Sequence, residues 1–184
     1  MAKRRIFYSF HFENDVMRVQ QIRNIGALED NEPVSVNKWE EIKREGDDSI
    51  ENWIRDTMSG CSCLVVLVGE ETAQRHWVQY EIQHAWEQGK GVLGIYINNI
   101  KDLKYGKGYR GENPFKNFVL DDEGNLLKRG SFSYFFNWPF EDSRYLSRIV
   151  RCYVPKSKDA YNDIKDNLEL WIEKAIKKRN RYPK

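Results

Sequence analysis

The sequence has few cysteines, no long apolar segment and almost no net charge. Its 184 residues include three cysteines, and this odd number argues against a disulfide framework and fits a reducing compartment. The longest uninterrupted apolar runs, such as residues 64–68, are far too short to span a bilayer. The amino-terminal segment has neither the apolar stretch nor the cleavage site of a secretory signal. We therefore expect a cytoplasmic protein with no membrane partner.

The charge balance and the absent motifs exclude further classes of function. Lys and Arg number 30 against 28 Asp and Glu, a formal net charge of +2, whereas a dedicated nucleic-acid binder usually has a strongly basic face. Cys61 and Cys63 resemble half of a metal site, but no second pair completes it. The P-loop, GxSxG and HExxH motifs are also missing. We expect neither a nucleic-acid partner nor a bound metal.

Three glycines, Gly106, Gly108 and Gly111, match the letters of the GxGxxG dinucleotide-binding turn. That motif holds pyrophosphate only where it joins a strand to the first turn of a helix. Here Asn113 and Pro114 follow almost at once, and the residue before a proline is disfavoured in a helix. We predict an irregular loop at this position and no cofactor bound through it.

Apolar runs and helical patterns alternate along the chain, which is typical of a doubly wound α/β sheet. Predicted strands cover residues 6–10, 33–36, 63–68 and 92–97, and predicted helices cover residues 47–58, 72–88 and 159–178. Asn14 or Asp15 is placed to cap a further helix after the first strand, and Asp159 to cap the last one. We expect one domain over residues 1–184, with ligands at the carboxyl ends of the strands.

Residues 100–155 depart from this alternation. Residues 119–127 have the pattern of a hairpin, with polar and glycine residues between two apolar pairs. Residues 131–138 are rich in Phe and Tyr and form a candidate strand that we place in the core.

The most informative segment for function is residues 76–82. Helical spacing predicts an apolar strip that faces the sheet: Val78, Ile82, Ala85 and Trp86. A second strip holds Trp77, Glu81 and His84. A carboxylate would thus project beside an indole near the start of a helix that follows a strand. A solvated glutamate over a half-buried tryptophan fits the same residues equally well, because exposed glutamate is common on helices.

The pattern Trp-Val-x-x-Glu-Ile at residues 77–82 resembles the catalytic helix of TIR domains that consume NAD+. Other segments resemble the TIR-like proteins of the bacterial Thoeris anti-phage defence system. They are RIFYSFH at residues 5–11, KWEE at 38–41, RHWVQYEI at 75–82, GIYIN at 94–98 and NPF at 113–115. The resemblance covers most of residues 3–120, and the segments in this order are more specific than any one of them.

The resemblance implies a flavodoxin-like TIR fold, with a parallel central sheet, helices on both faces and a modified C-terminal region. It implies cleavage of NAD+ at the nicotinamide–ribose bond and formation of a cyclic ADP-ribose isomer, a second messenger that activates a separate effector protein. NAD+ is then a substrate, and no cofactor is expected. Because a neighbour's BB loop can complete the site of TIR enzymes, the resemblance also implies a homo-oligomer on activation.

The same resemblance assigns roles to individual residues. Glu81 matches the family's catalytic glutamate. Further matched positions are expected to contact substrate: Ser9, Phe10 and His11 after the first strand, Trp39 in the segment of the BB loop, and Trp77 beside the glutamate.

A single carboxylate suits this chemistry. Ordinary glycoside hydrolysis uses two carboxyl groups because its leaving group must be protonated, whereas the cationic nicotinamide of NAD+ departs as a neutral molecule. Aromatic side chains such as Phe10 and Trp39 would stack on the substrate rings and exclude water, which favours cyclisation over hydrolysis.

Two other interpretations remain. A non-catalytic TIR module would only dock onto another TIR surface, and it would have no need of the Glu81 and Trp77 pair. A nucleoside deoxyribosyltransferase-like enzyme would share the architecture and a glutamate near a ribose, but no segment of this sequence supports it.

Overall fold

A parallel sheet forms the centre of the molecule. The computed structural model describes residues 4–25, 42, 44–102, 104–129 and 144–182. Its strands are β1 (Ile6–Ser9), β2 (Cys63–Val68), β3 (Gly91–Tyr96), β4 (Phe118–Leu120), β5 (Leu126–Lys128) and β6 (Cys152–Tyr153). The parallel sheet has the order β1-β2-β3-β6, with Ser9 opposite Val66 and Val68 opposite Tyr96. The strands predicted around residues 6–10, 63–68 and 92–97 are confirmed, and residues 33–36 lie outside the described residues.

Helices lie on both faces of this sheet. They are α1 (Phe12–Arg23), α2 (Asp47–Ser59), α3 (His76–Glu87), α4 (Leu146–Ile149) and α5 (Ala160–Arg179). Every residue of β2 is buried. Its even-numbered side chains join a core with α2 and α3, and its odd-numbered side chains join a core with α1 and α5, as the period of two in a strand requires. This α/β architecture is the expected one.

Two predicted helix starts are corrected. The helix predicted from residue 72 begins as a 3-10 helix, Thr72–Gln74, and extended backbone at Arg75 (φ −76°, ψ 125°) separates it from α3. Neither Asn14 nor Asp15 caps α1, because the helix begins directly after β1 and His11 occupies the N-cap position. Asp159 does lie at the N-cap of α5, but its carboxylate accepts hydrogen bonds from the Asn162 side chain (2.9 and 3.0 Å) and not from the helix backbone.

The region after β3 adds a smaller layer. The predicted hairpin is confirmed as β4 and β5, which pair antiparallel with Phe118 opposite Lys128. The predicted glycine loop is also confirmed, since Gly106 has a φ of +69° and the chain then runs without regular structure to a 3-10 helix, Pro114–Asn117. The candidate strand at residues 131–138 lies outside the described residues. In the described part of the chain, no helix has the length and hydropathy needed to cross a membrane.

Candidate active site at the carboxyl edge of the sheet

Ser9 and Glu81 come together where β1 ends. Along β1 the side chains alternate between the two cores, so that Phe7 packs with α2 and α3 while Ile6 and Tyr8 pack with α1 and α5. Ser9 therefore faces the same side as Phe7, and its hydroxyl group adjoins the carboxyl group of Glu81 on α3. We call this end of β1, β2 and β3 the carboxyl edge, the place where α/β sheets bind ligands.

The Glu81 carboxyl group is buried, with 6% of the residue exposed. Burial raises its pKa from 4.5 to about 8, and the Ser9 hydroxyl opposes part of that rise. The Ser9 oxygen is itself buried, and it is a close polar neighbour of the carboxyl group without a well-aligned hydrogen bond to it. The interpretation of Glu81 as a solvated surface residue is wrong, because the side chain lies between its helix and the sheet.

Trp77 and His84 both pack against Tyr80 of the same helix. The Trp77 indole is half-buried and meets the rings of His76 and Tyr80 edge to face, with centroids 4.9 and 5.9 Å away. The His84 ring stacks on Tyr80 at 6.0 Å. The three residues of the predicted strip therefore differ in burial, with Glu81 buried and Trp77 and His84 half-buried around Tyr80.

His11 forms the corner between β1 and α1. It is 6% exposed, and its Nε2 and Nδ1 atoms lie 3.6 Å from Glu13 Oε2 and 3.7 Å from Glu71 Oε2. Burial and the nearby Arg75 guanidinium lower the His11 pKa despite the two carboxylates. His11 therefore presents a neutral imidazole at pH 7, and its Nδ1 atom is buried without a hydrogen bond.

The aromatic residues predicted to contact substrate fall in different places. Phe10 is half-buried, packs against the core of α1 and α5, and lies 5.9 Å from the Phe12 ring. It thus packs on the opposite face of the sheet from Glu81. Trp39 lies outside the described residues. The substrate contacts assigned to Ser9, Phe10, His11, Trp39 and Trp77 stay predictions.

A buried ion pair behind the carboxyl edge was missed at the sequence level. Asp15 is 2% exposed, and its Oδ1 atom lies 3.2 Å from Arg18 Nη1. Burial raises the Asp15 pKa to about 6 although Arg18 opposes the rise. Arg18 also donates to the backbone oxygens of Ile100 (3.1 Å) and Gly106 (3.3 Å). The spacing of three residues between Asp15 and Arg18 was a visible signal, but their burial depends on distant loops.

The loop that follows β2 is held in place from several sides. Thr72 Oγ1 accepts a hydrogen bond from the Gly69 amide at 2.9 Å. Glu71 pairs with Arg75 and accepts from Asn14 Nδ2 at 3.1 Å. A Cβ atom on Gly69 would overlap the Asp15 carboxylate, and one on Gly111 would lie 2.0 Å from the Gly69 oxygen. The backbone of the glycine loop therefore packs against the loop that follows β2. The GxGxxG-like glycines thus have a structural role at this position.

The described residues show no metal centre. Among them, no three His, Cys, Asp or Glu side chains converge as a metal site requires. Cys61 and Cys63 are both buried, and burial raises the pKa of both thiols, which favours their protonated form at neutral pH. The expectation that the protein uses no metal and no cofactor stays a prediction.

Comparison with known proteins decides the family. Residues 7–102, just over half of the chain, match the family described as the TIR-like domain of the Thoeris protein ThsB. The chain belongs to this family. The ThsB match begins within β1 and includes all of α3, so Ser9 and Glu81 both fall inside the matched region. The resemblance to Thoeris TIR-like proteins and the TIR fold that it implied are confirmed.

A relative of this ThsB-like chain carries a name that refers to an activity. A protein of Bacillus cereus (strain MSX-D12), provisionally named cyclic ADP-D-ribose synthase ThsB1, is 36% identical over 121 residues. The aligned region covers 62% of this chain and 62% of the relative. The chain thus matches somewhat less than two thirds of that protein's length.

Proposed function

We propose that this protein cleaves NAD+ at the bond between nicotinamide and ribose and closes the remaining ADP-ribose into a cyclic isomer. The buried Glu81 carboxyl group beside Ser9 supports the proposal most directly. The family match and the name of the Bacillus cereus relative support the same chemistry. The cyclic product would act as a second messenger in the cytoplasm and activate a separate effector protein.

The cleavage step needs no general acid. When the C1′–N1 bond of NAD+ breaks, its electron pair stays on the nicotinamide nitrogen, which becomes neutral and needs no proton. Positive charge develops on the ribose, where an opposed carboxylate stabilises it electrostatically. A nucleophilic atom of the same ADP-ribose then bonds to C1′ and releases its proton. Glu81 would thus serve as the carboxylate that faces the ribose.

The burial of Glu81 fits a site that becomes charged when substrate arrives. The pKa of about 8 keeps the carboxyl group mostly protonated at neutral pH in the free protein. A pyridinium cation placed beside it would favour the ionised form and lower the pKa again. Binding would therefore create the carboxylate next to the bond that breaks, in surroundings from which water is largely excluded.

Other residues would shape the site around this carboxylate. Ser9 would stabilise the ionised form of Glu81, and His11 would offer a neutral imidazole at the corner between β1 and α1. Trp39 and Trp77 would supply aromatic contacts for the substrate rings, and Phe10 would contribute from the other face of the sheet, where it packs with the core of α1 and α5. Assembly into a homo-oligomer would complete the site with a neighbour's BB loop.

Incubation of the protein with NAD+, followed by chromatographic separation of the products, tests the proposal. The assay should cover a series of protein concentrations, with and without lysate from phage-infected cells, because assembly is part of the proposal. We expect nicotinamide and a cyclic product in equal amounts. If no nicotinamide is released under any of these conditions, the enzymatic proposal is wrong and a non-catalytic interaction module becomes the better interpretation.

A further inference from the structure

A cavity of about 470 Å³ lies at the amino edge of the sheet, opposite the candidate active site. Its walls come from the first residues of β3, from β6 with the preceding Arg151, and from the last turns of α3 and α5. Its volume falls within the range of small-molecule sites. Neither the family match nor the proposed NAD+ chemistry assigns a role to this cavity.

Basic side chains line this cavity on two of its sides. Lys174 and Lys178 project from one face of α5, one helical turn apart, and Arg151 lies across from them before β6. All three are exposed, and none has an ion-pair partner among the residues that the structure describes. No carboxylate occurs among the described lining residues. The two lysines also complement the dipole of α5, but that role does not require Arg151 on the opposite wall.

The remaining walls are aromatic and rigid. Tyr153 and Trp171 stack with their centroids 4.2 Å apart and their planes 11° from parallel. Arg179 Nε and Nη2 donate to the Trp86 oxygen at 3.1 and 2.7 Å, and the guanidinium lies 4.4 Å from the centre of the Trp86 ring. These contacts tie the ends of α3 and α5 together, so the cavity does not depend on the exposed lysines for its shape.

We propose that this cavity is a second ligand site and that it binds a nucleotide. Arg151, Lys174 and Lys178 hold the phosphate groups, since unpaired lysine and arginine side chains bind phosphate through charge-assisted hydrogen bonds. The wall of Tyr153 and Trp171 takes the flat base through edge contacts, because the Tyr153 ring already stacks on Trp171 and the Arg151 guanidinium lies 5.4 Å from its centre. The site is independent of Glu81 and of the proposed NAD+ chemistry.

Calorimetric titration with ADP at physiological salt tests the proposal, with inorganic pyrophosphate as the second probe. The decisive variant is the double substitution Lys174→Glu and Lys178→Glu, which reverses both exposed charges without touching the core. Its matched control is Lys165→Glu with Lys177→Glu, which makes the same change in net charge on α5 away from the cavity. Nicotinamide release from NAD+ by each protein is measured separately and reports on the proposed function alone.

We expect ADP to bind the wild-type protein and to bind the cavity variant at least about tenfold more weakly, because two phosphate contacts become repulsive. The control should stay within about twofold of the wild type. ADP should also bind about tenfold more tightly than pyrophosphate, which lacks a base. Absence of ADP binding, or equal binding by both double variants, overturns the second site. Equal affinity for pyrophosphate and ADP overturns its assignment to nucleotides.

Discussion

The Ser9 hydroxyl group at the end of β1 adjoins the buried carboxyl group of Glu81 on α3. The two residues are far apart in the chain, and the parallel pairing of β1 with β2 brings them together, because α3 follows β2 and packs on the face that Ser9 shares. Burial raises the pKa of the proposed catalytic group and the Ser9 hydroxyl opposes that rise, and most of the following predictions depend on these two effects.

The rate of nicotinamide release should depend on the ionisation of Glu81. In the free protein its pKa is about 8, so we expect kcat/KM to rise with pH and to level off above about pH 8. Because bound NAD+ carries a positive charge beside the carboxyl group, kcat should level off at a lower pH than kcat/KM. Steady-state assays from pH 5.5 to 9.5 measure the pH dependence of both kcat/KM and kcat. A flat profile over this range would contradict the proposed role of the carboxylate.

Replacement of Ser9 with alanine should shift that profile. The hydroxyl opposes the rise in the Glu81 pKa, so its loss should move the rise of kcat/KM about one unit to higher pH and reduce kcat/KM at pH 7 about tenfold. The loss should be smaller at pH 9.5. Ser62→Ala is the matched control, since Ser62 donates to the Arg5 oxygen at the far edge of the sheet, and it should leave the profile unchanged.

Glu81 should also make stability depend on pH. Its pKa is higher in the folded protein (about 8) than the ordinary value of 4.5, so the folded state binds more protons between these values. Stability should therefore fall as pH rises through this window. Glu81→Gln removes the titration, and its Tm relative to wild type should increase from pH 5 to pH 8.5. Thermal unfolding at both pH values measures the difference, and a constant gap in Tm would show that Glu81 is not buried as described.

The contact of the glycine loop with the loop after β2 predicts a large effect from a small substitution. A Cβ atom on Gly111 would lie 2.0 Å from the Gly69 oxygen, which is backbone and cannot move alone. We expect Gly111→Ala to cost about 1–3 kcal/mol and to reduce kcat/KM. Gly108→Ala is the control, because its Cβ would meet no backbone atom but only the end of the Arg18 side chain, whose nearest atom lies at 3.2 Å. Denaturant unfolding compares the two, and equal stabilities would refute this packing.

The sequence predicted the regular elements well and the site only in part. The run at residues 63–68 was matched in full by β2, because a strand buried on both faces is apolar throughout. The break at Arg75 could not be found from helical spacing, because the side chains of Gln79 and Asn117 donate to the Ala73 oxygen just before it, and Asn117 belongs to the distant 3-10 helix Pro114–Asn117. Helical spacing also left open whether Glu81 is solvated, because its burial depends on β1.

The buried pair of Asp15 and Arg18 illustrates the same limit. The spacing of the two charges is visible in the sequence, but their burial comes from the backbone of residues 69, 100 and 106, which belong to the loops after β2 and after β3. Such long-range contacts carry no local signal in a single sequence. The resemblance to TIR domains supplied Glu81 as a catalytic candidate, and the structure added the hydroxyl group beside it.

The most direct test is the rate of nicotinamide release from NAD+ by Glu81→Gln, under conditions in which the wild-type protein is active. Glu87→Gln, on the exposed end of the same helix, is the matched control. We expect the Glu81 variant to remain folded and to lose roughly 10²–10³ in kcat, the usual effect of removing a preorganised electrostatic group, while the control keeps wild-type activity. Nicotinamide release at the wild-type rate by a folded Glu81→Gln protein would contradict the proposal that this carboxylate stabilises the positive charge on the ribose as the bond to nicotinamide breaks.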